Sequence, residues 1–118
     1  MVPEYIEGED IIWYTYIINL KKYTIFNILI NSKGYGKINE EQRKTSTLRY
    51  FIEELKPDEF KKFEPIDPNL LHMTHEFWIS FQENKKMLDK KYIFLSETLN
   101  EDNMVKIPSL DKKGVLII

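Results

Sequence analysis

Two stretches rich in β-branched and aromatic residues, IIWYTYIINL at 11–20 and YTIFNILIN at 23–31, follow one another with almost nothing between them. Each has the composition of a strand, and each is apolar on both faces. In the first, the even positions Ile12, Tyr14, Tyr16, Ile18 and Leu20 form one apolar face. The odd positions Ile11, Trp13, Thr15, Ile17 and Asn19 are half apolar. In the second, Phe26, Ile28 and Ile30 alternate against Ile25 and Leu29. Strands of this kind need cover on both sides, so they commit much of the chain to a sheet and to whatever packs on it. The join, LKKY, is short. A two-residue hairpin turn needs positive φ and therefore favours Asn or Gly, which Lys21 and Lys22 do not supply. The reading is a hairpin with a longer turn, and the alternative is a bulge that makes the pair one bent strand.

Beyond residue 45 the period changes. Leu48, Phe51, Ile52 and Leu55 recur at i, i+3, i+4 and i+7, as on one face of a helix. Thr45 or Ser46 can cap it and Pro57 can stop it. The spacing predicts a helix over 45–55. TSTLRYF is also β-favourable, so a strand over 45–52 is the lesser alternative. PDEFKKF at 57–63 reads as a short helix opened by Pro57 and Asp58, and EPIDPNLLHMTH as a proline-punctuated connector. Alternation returns in EFWISFQ at 76–82. ENKKMLDK turns, KYIFLSE runs back, MVKI adds a short strand, and the apolar end GVLII predicts a last strand within the sheet. The expected fold class is α+β. One domain over 1–118 has a mostly antiparallel sheet of about five to six strands, with one principal helix (45–55) packed on one face.

Charge narrows the function classes. With 17 basic and 19 acidic residues the net charge is −2, whereas a general nucleic-acid binder needs a basic surface to displace counterions. No nucleic-acid partner is expected. Cysteine is absent, which removes disulfides, cysteine zinc sites and thiol nucleophiles. The longest apolar run is about half the length that spans a bilayer as a helix. The opening residues MVPEYIEGED are acidic where a secretory leader carries basic and then apolar residues. No membrane partner is expected, and the expected location is the cytoplasm.

Three short motifs invite chemistry. Gly34-Tyr35-Gly36 lacks the third glycine of a dinucleotide fingerprint, and Lys44-Thr45 lacks the glycines of a phosphate loop. The glycines therefore read as a turn or bulge after a strand. His72, His75 and Glu76 in HMTHE are a candidate metal set, since imidazole and carboxylate suit divalent ions. The two histidines would share a side of a helix, but the segment enters a strand. Arg43, Lys44 and Thr45 at the expected helix start are a candidate anion or phosphate site. The adjacent carboxylate pairs Glu53-Glu54 and Asp58-Glu59 do not face one another across a site. No catalytic residue and no cofactor are assigned.

The remaining signal is Trp78. Phe77, Ile79 and Phe81 already supply one apolar side of EFWISFQ, so period-two geometry sends Trp78 to the other face with Ser80 and Gln82. Either the helix or the 64–71 segment covers it, or it is exposed as an interface anchor. The expected function is a non-catalytic protein-binding or assembly subunit acting through a sheet face or edge, with a protein partner or a second copy of itself. The alternative is a small enzyme or small-molecule or metal-binding domain built on His72, His75 and Glu76.

Overall fold

The computed structural model describes residues 2–5, 11–38, 41–66 and 70–117. Ten strands follow in order among them: β1 (Val2–Tyr5), β2 (Ile11–Ile18), β3 (Ile25–Ile38), β4 (Glu41–Lys44), β5 (Leu48–Leu55), β6 (Phe60–Ile66), β7 (Thr74–Glu83), β8 (Lys86–Phe94), β9 (Val105–Ile107) and β10 (Lys112–Gly114). Their pairings are antiparallel. β1, β2 and β6 make one sheet, and β9 pairs with β10. In the largest sheet β3 pairs with β7, β7 pairs with β8, and the other edge of β3 is shared by β4 and β5.

There is no α-helix among the described residues, so the expected α+β class is corrected to an all-β arrangement. Residues 48–55 form β5. Leu48 and Phe51, which would have faced a helix core, are 49% and 60% exposed, and only Ile52 and Leu55 of that set are buried. The three-residue spacing of Ile52 and Leu55 has another cause. They pair with Ile28 and Ile25 of β3, which are also three apart. Between those two β3 residues lies Asn27, with φ 49°. A bulge there opposes Asn27 and Ile28 to a single β7 residue, and the register shifts between Phe26 and Leu29. Asn tolerates the left-handed conformation, and its Nδ2 donates to Gln82 Oε1 at 2.9 Å. The bulge turns Ile25 and Ile28 inward together and leaves Phe26 on the open face. Simple alternation therefore misassigned Ile25 and Phe26.

The expected hairpin between the first two stretches does not form. β2 and β3 lie in different sheets, and Lys21-Lys22 is the corner between them. Stacking the sheets covers an inner face of each strand, which a flat hairpin would leave bare. The inner face of β2 is the odd one, with Trp13, Thr15, Ile17 and Asn19 beside it all buried. Its even face is covered instead from the β9–β10 turn, where Ile107 and Leu110 pack on Tyr16 and Ile18. The main core joins Trp13, Ile17 and Ile66 to Ile25, Ile28, Ile30, Ile52, Leu55, Phe77, Ile79 and Phe94. An edge-to-face aromatic chain crosses it, from Tyr50 to Phe63 (5.2 Å), Phe77 (5.8 Å) and Phe94 (5.9 Å).

Other connections are tighter than the sequence reading expects. Pro57 and Asp58 do not open a helix. They are the centre of a β-turn closed by Glu59 N–H to Lys56 O at 3.0 Å, with Asp58 at φ 64°, as a type II turn requires. The eight-residue turn ENKKMLDK reduces to Asn84-Lys85, at φ 47° and 68°, the signs of a type I′ hairpin. At the C-terminal end the strand stops at Gly114, so no strand covers 115–117, although Val115 is in the core. Ile118 lies outside the described residues.

The passages between the sheets after β2 and after β5 meet at Asn19, which is 2% exposed. Its Nδ2 donates to the Tyr23 and Leu55 carbonyls, each at 2.9 Å, and its Oδ1 accepts from Lys21 N–H at 3.0 Å. Its backbone N–H donates to Glu59 O (3.0 Å) and its carbonyl accepts from Asp58 N–H (2.8 Å). Removing the amide strands buried backbone groups at both corners. Asn19→Ala is expected to cost about 3 kcal/mol in urea unfolding. The isosteric Asn19→Asp should be nearly as harmful, because it sets an oxygen against two carbonyl oxygens; a neutral effect of both would remove Asn19 from this role.

Candidate functional site

Two surfaces of the five-stranded sheet carry the features from which function can be argued. The outer one follows from register. Phe51, Leu29, Ser80 and Asp89 lie in one cross-strand row, and Arg49, Asn31, Trp78 and Lys91 lie in the next. Phe26, Gln82 and Met87 continue the face on one side, and Lys33, Glu76 and Ile93 on the other. Of these, Phe26, Leu29, Phe51, Trp78, Met87 and Ile93 are large apolar side chains that remain exposed. Isolated exposed apolar residues are ordinary, but a contiguous group on one sheet face marks an interaction surface.

Trp78 is 45% exposed, so the expectation that it is buried under cover is not met among the described residues. It is nevertheless held in place. Its Nε1–H donates to Asp89 Oδ2 at 3.0 Å, and Lys91 Nζ lies 5.1 Å from the ring centre. Ser80 and Gln82 share its face, as alternation requires. Ser80 is flanked by Leu29 and Asp89, and Gln82 is tied to the bulge at Asn27. Sequence reasoning missed Phe26, Leu29 and Phe51. The first two were hidden by the bulge, and Phe51 by its chance helical spacing.

The histidine motif is dispersed. His72 is exposed in the turn before β7. His75 and Glu76 are neighbours on a strand, so they point to opposite faces. Glu76 lies on the outer face between Lys33 Nζ (3.1 Å) and Lys91 Nζ (3.7 Å). His75 points inward, 5% exposed, with Nε2 2.8 Å from the Leu70 carbonyl. No group of three or more potential metal ligands is brought together among the described residues. The basic motif is dispersed too. Arg43 pairs with Glu41 at 2.8 Å, Lys44 is exposed at the end of β4, and the helix start that would have held an anion is absent. Thr45 has a structural task, because its Oγ1 accepts from Gly34 N–H at 2.7 Å where β4 gives way to β5.

The glycines form neither a phosphate loop nor a turn. Both lie inside β3, where they allow close packing of neighbours. A Cβ on Gly34 would stand 3.3 Å from Thr45 Cγ2 and 3.5 Å from His75 Nδ1. Gly34 lines a cleft of about 260 Å³ together with Ser32, Thr45, Glu64, Leu70 and His75. Glu64 is the residue that sequence reasoning passed over, since it sat in an expected connector. A register shift in the β2–β6 pair lets both Phe63 and Glu64 reach the interior. The Glu64 carboxylate, 5% exposed, accepts from Ser32 Oγ–H (2.9 Å to either oxygen) and from Tyr50 O–H (2.9 Å). Burial pushes the Glu64 carboxyl above its ordinary range, against the pull of those two hydrogen bonds. Burial, with the Glu64 hydrogen bond, pushes the Tyr50 hydroxyl up to about 12. Burial holds His75 below its ordinary value of 6.5.

A raised carboxyl pKa has a definite sign in stability. The folded state prefers the neutral acid, so that contribution is complete below the ordinary value of 4.5 and is lost as the pH rises through the folded pKa. Glu64→Gln keeps an acceptor for Ser32 and Tyr50 without the charge. It is expected to be more stable than the parent at neutral pH, with the gain shrinking as the pH falls toward the ordinary carboxylate range. Paired urea titrations across that range check it, and a gain independent of pH would contradict it.

No helix among the described residues is long and apolar enough to cross a membrane. Set against models of known protein families, curated proteins and solved structures, the chain matches none, so its function has to be argued from these two surfaces.

Proposed function

We propose that the protein is a non-catalytic assembly subunit that binds protein through the outer face of its five-stranded sheet, with Trp78 as the anchor and Ser80 and Gln82 beside it. One observation carries this reading: six large apolar side chains lie exposed on that face, and the central tryptophan is fixed by Asp89 and Lys91. A side chain already held in one rotamer loses little entropy on binding, and tryptophan is the residue most enriched at the energetic centres of interfaces.

The occupant that fits is a second copy. Acidic Glu54 and Asp89 lie toward one end of the apolar group, and toward the other lie basic Arg49, Lys91 and Lys33, which outnumber the single Glu76 between them. A copy related by a two-fold axis sets each charged end against its opposite, as a self-complementary interface requires. The cytoplasm is the compartment we propose, on the absence of cysteine.

Sedimentation of the parent chain should show a dimer, and Trp78→Ala or Phe51→Ala should weaken it at least about tenfold, or about 1.4 kcal/mol. Because Trp78 is half exposed, its removal should cost the fold about 2 kcal/mol, for the covered part of the ring, its cation–π contact and one exposed hydrogen bond. That is less than the loss of a fully buried aromatic, about 3–5 kcal/mol. A chain that stays monomeric, or a dimer indifferent to both substitutions, would overturn the assignment. A different protein captured by the same face and released by the same substitutions would replace the second copy as occupant.

A further inference from the structure

The cleft on the opposite side of the same sheet offers two hydrogen-bond acceptors to whatever enters it. The first is the Glu64 carboxylate. It has about four lone-pair sites and only two neutral donors, the single protons of Ser32 and Tyr50. No lysine or arginine among the described residues forms an ion pair with it, and a buried carboxylate without a counter-charge is costly. The second acceptor is His75 Nδ1. The Leu70 carbonyl can only accept, so Nε2 carries the hydrogen of that 2.8 Å bond and Nδ1 of the neutral ring keeps its lone pair. The depressed pKa of the buried ring agrees with the neutral form.

The two acceptors are near neighbours. Ser32, which holds Glu64, and Gly34, which pairs with His75, are two residues apart on β3, about 7 Å along the strand. The hydroxyl of Thr45 is already engaged, accepting from Gly34 N–H and donating to the Ser46 carbonyl at 3.1 Å. The Lys33 ammonium is drawn away to Glu76 on the other face. The other walls include Leu48, Ile66 and Leu70. A void of about 150 Å³ suffices for benzene, so about 260 Å³ admits a small ring with a polar head.

We propose that this cleft is a binding site for a small organic cation, an ammonium or amidinium on a short apolar body, held between the Glu64 carboxylate and His75 Nδ1. The cation supplies the counter-charge that Glu64 lacks, its N–H groups satisfy both acceptors, and its body lies against the leucine and isoleucine walls. An anion would meet these two acceptors at this place. The site is independent of the outer face, because alternate residues of β3 and β7 serve the two.

The test uses the 118-residue chain with benzamidinium and n-butylammonium as probes and benzamide as the uncharged control, followed by NMR of the histidine ring and of the backbone. Saturable millimolar or tighter binding is expected for at least one cation, with shifts at His75 and Gly34 and none at Trp78. Glu64→Gln, which retains the acceptor for Ser32 and Tyr50, should weaken it at least tenfold. Gly34→Ala, whose methyl would stand 3.5 Å from His75 Nδ1, should abolish it. Binding by neither cation, equal binding of benzamide, or an affinity unchanged in Glu64→Gln would overturn the proposal.

Discussion

The structure depends on the side-chain amide of Asn19. The chain passes between the sheets after β2 and again after β5, and each passage exposes backbone groups that a continuous strand would have paired. An unpaired buried peptide group costs as much as a lost hydrogen bond. Asn19 meets that demand at both corners, reaching Tyr23 and Lys21 on one side and Leu55 on the other. Once the corners are joined, the stacking of the sheets follows. Trp13, Ile17 and Ile66 meet the Ile25–Ile30 face of β3, and Glu64 is carried to Ser32 and Tyr50.

Stacking also separates the two candidate surfaces. On β7, His75, Phe77 and Ile79 face inward, while Glu76, Trp78 and Ser80 face outward, because successive residues of a strand point to opposite sides. One strand pair thus contributes to a small cleft and to a broad apolar face, and Lys33, which borders the cleft, sends its ammonium to Glu76 on the outer face. The same geometry dissolves the histidine motif. His75 and Glu76 adjoin in sequence but are on opposite sides of the sheet, and Glu76 is claimed by lysines.

The placement of Trp78 with Ser80 and Gln82 was legible in the sequence, since it needed only the alternation of a regular strand. The strand character of 11–18, 25–31, 76–82 and 91–94 was legible for the same reason: β-branched and aromatic residues favour extended backbone wherever they stand. The reading failed at β5, where Leu48, Phe51, Ile52 and Leu55 imitate a helix. Two of the four are exposed, and the spacing of the others repeats that of Ile25 and Ile28 across the bulge. Nothing local to 48–55 reports a bulge on a different strand. Glu64 was missed because its burial depends on the β2–β6 register shift, again a property of a pair.

The amino-acid sequence by itself determined the strand-forming segments, the absence of cysteine chemistry, the near-balanced charge and the placement of Trp78 on the face opposite Phe77 and Ile79. These follow from side-chain identity and from the two-residue repeat of extended backbone. Only the tertiary structure decided that β2 and β3 belong to different sheets, that β5 is a strand along the edge of β3, and that Glu64 and His75 share a cleft. Those outcomes depend on which backbone edges find partners and where a bulge shifts the register. Both are settled by hydrogen bonds between residues tens of positions apart, such as Asn19 with Leu55 and Ser32 with Glu64.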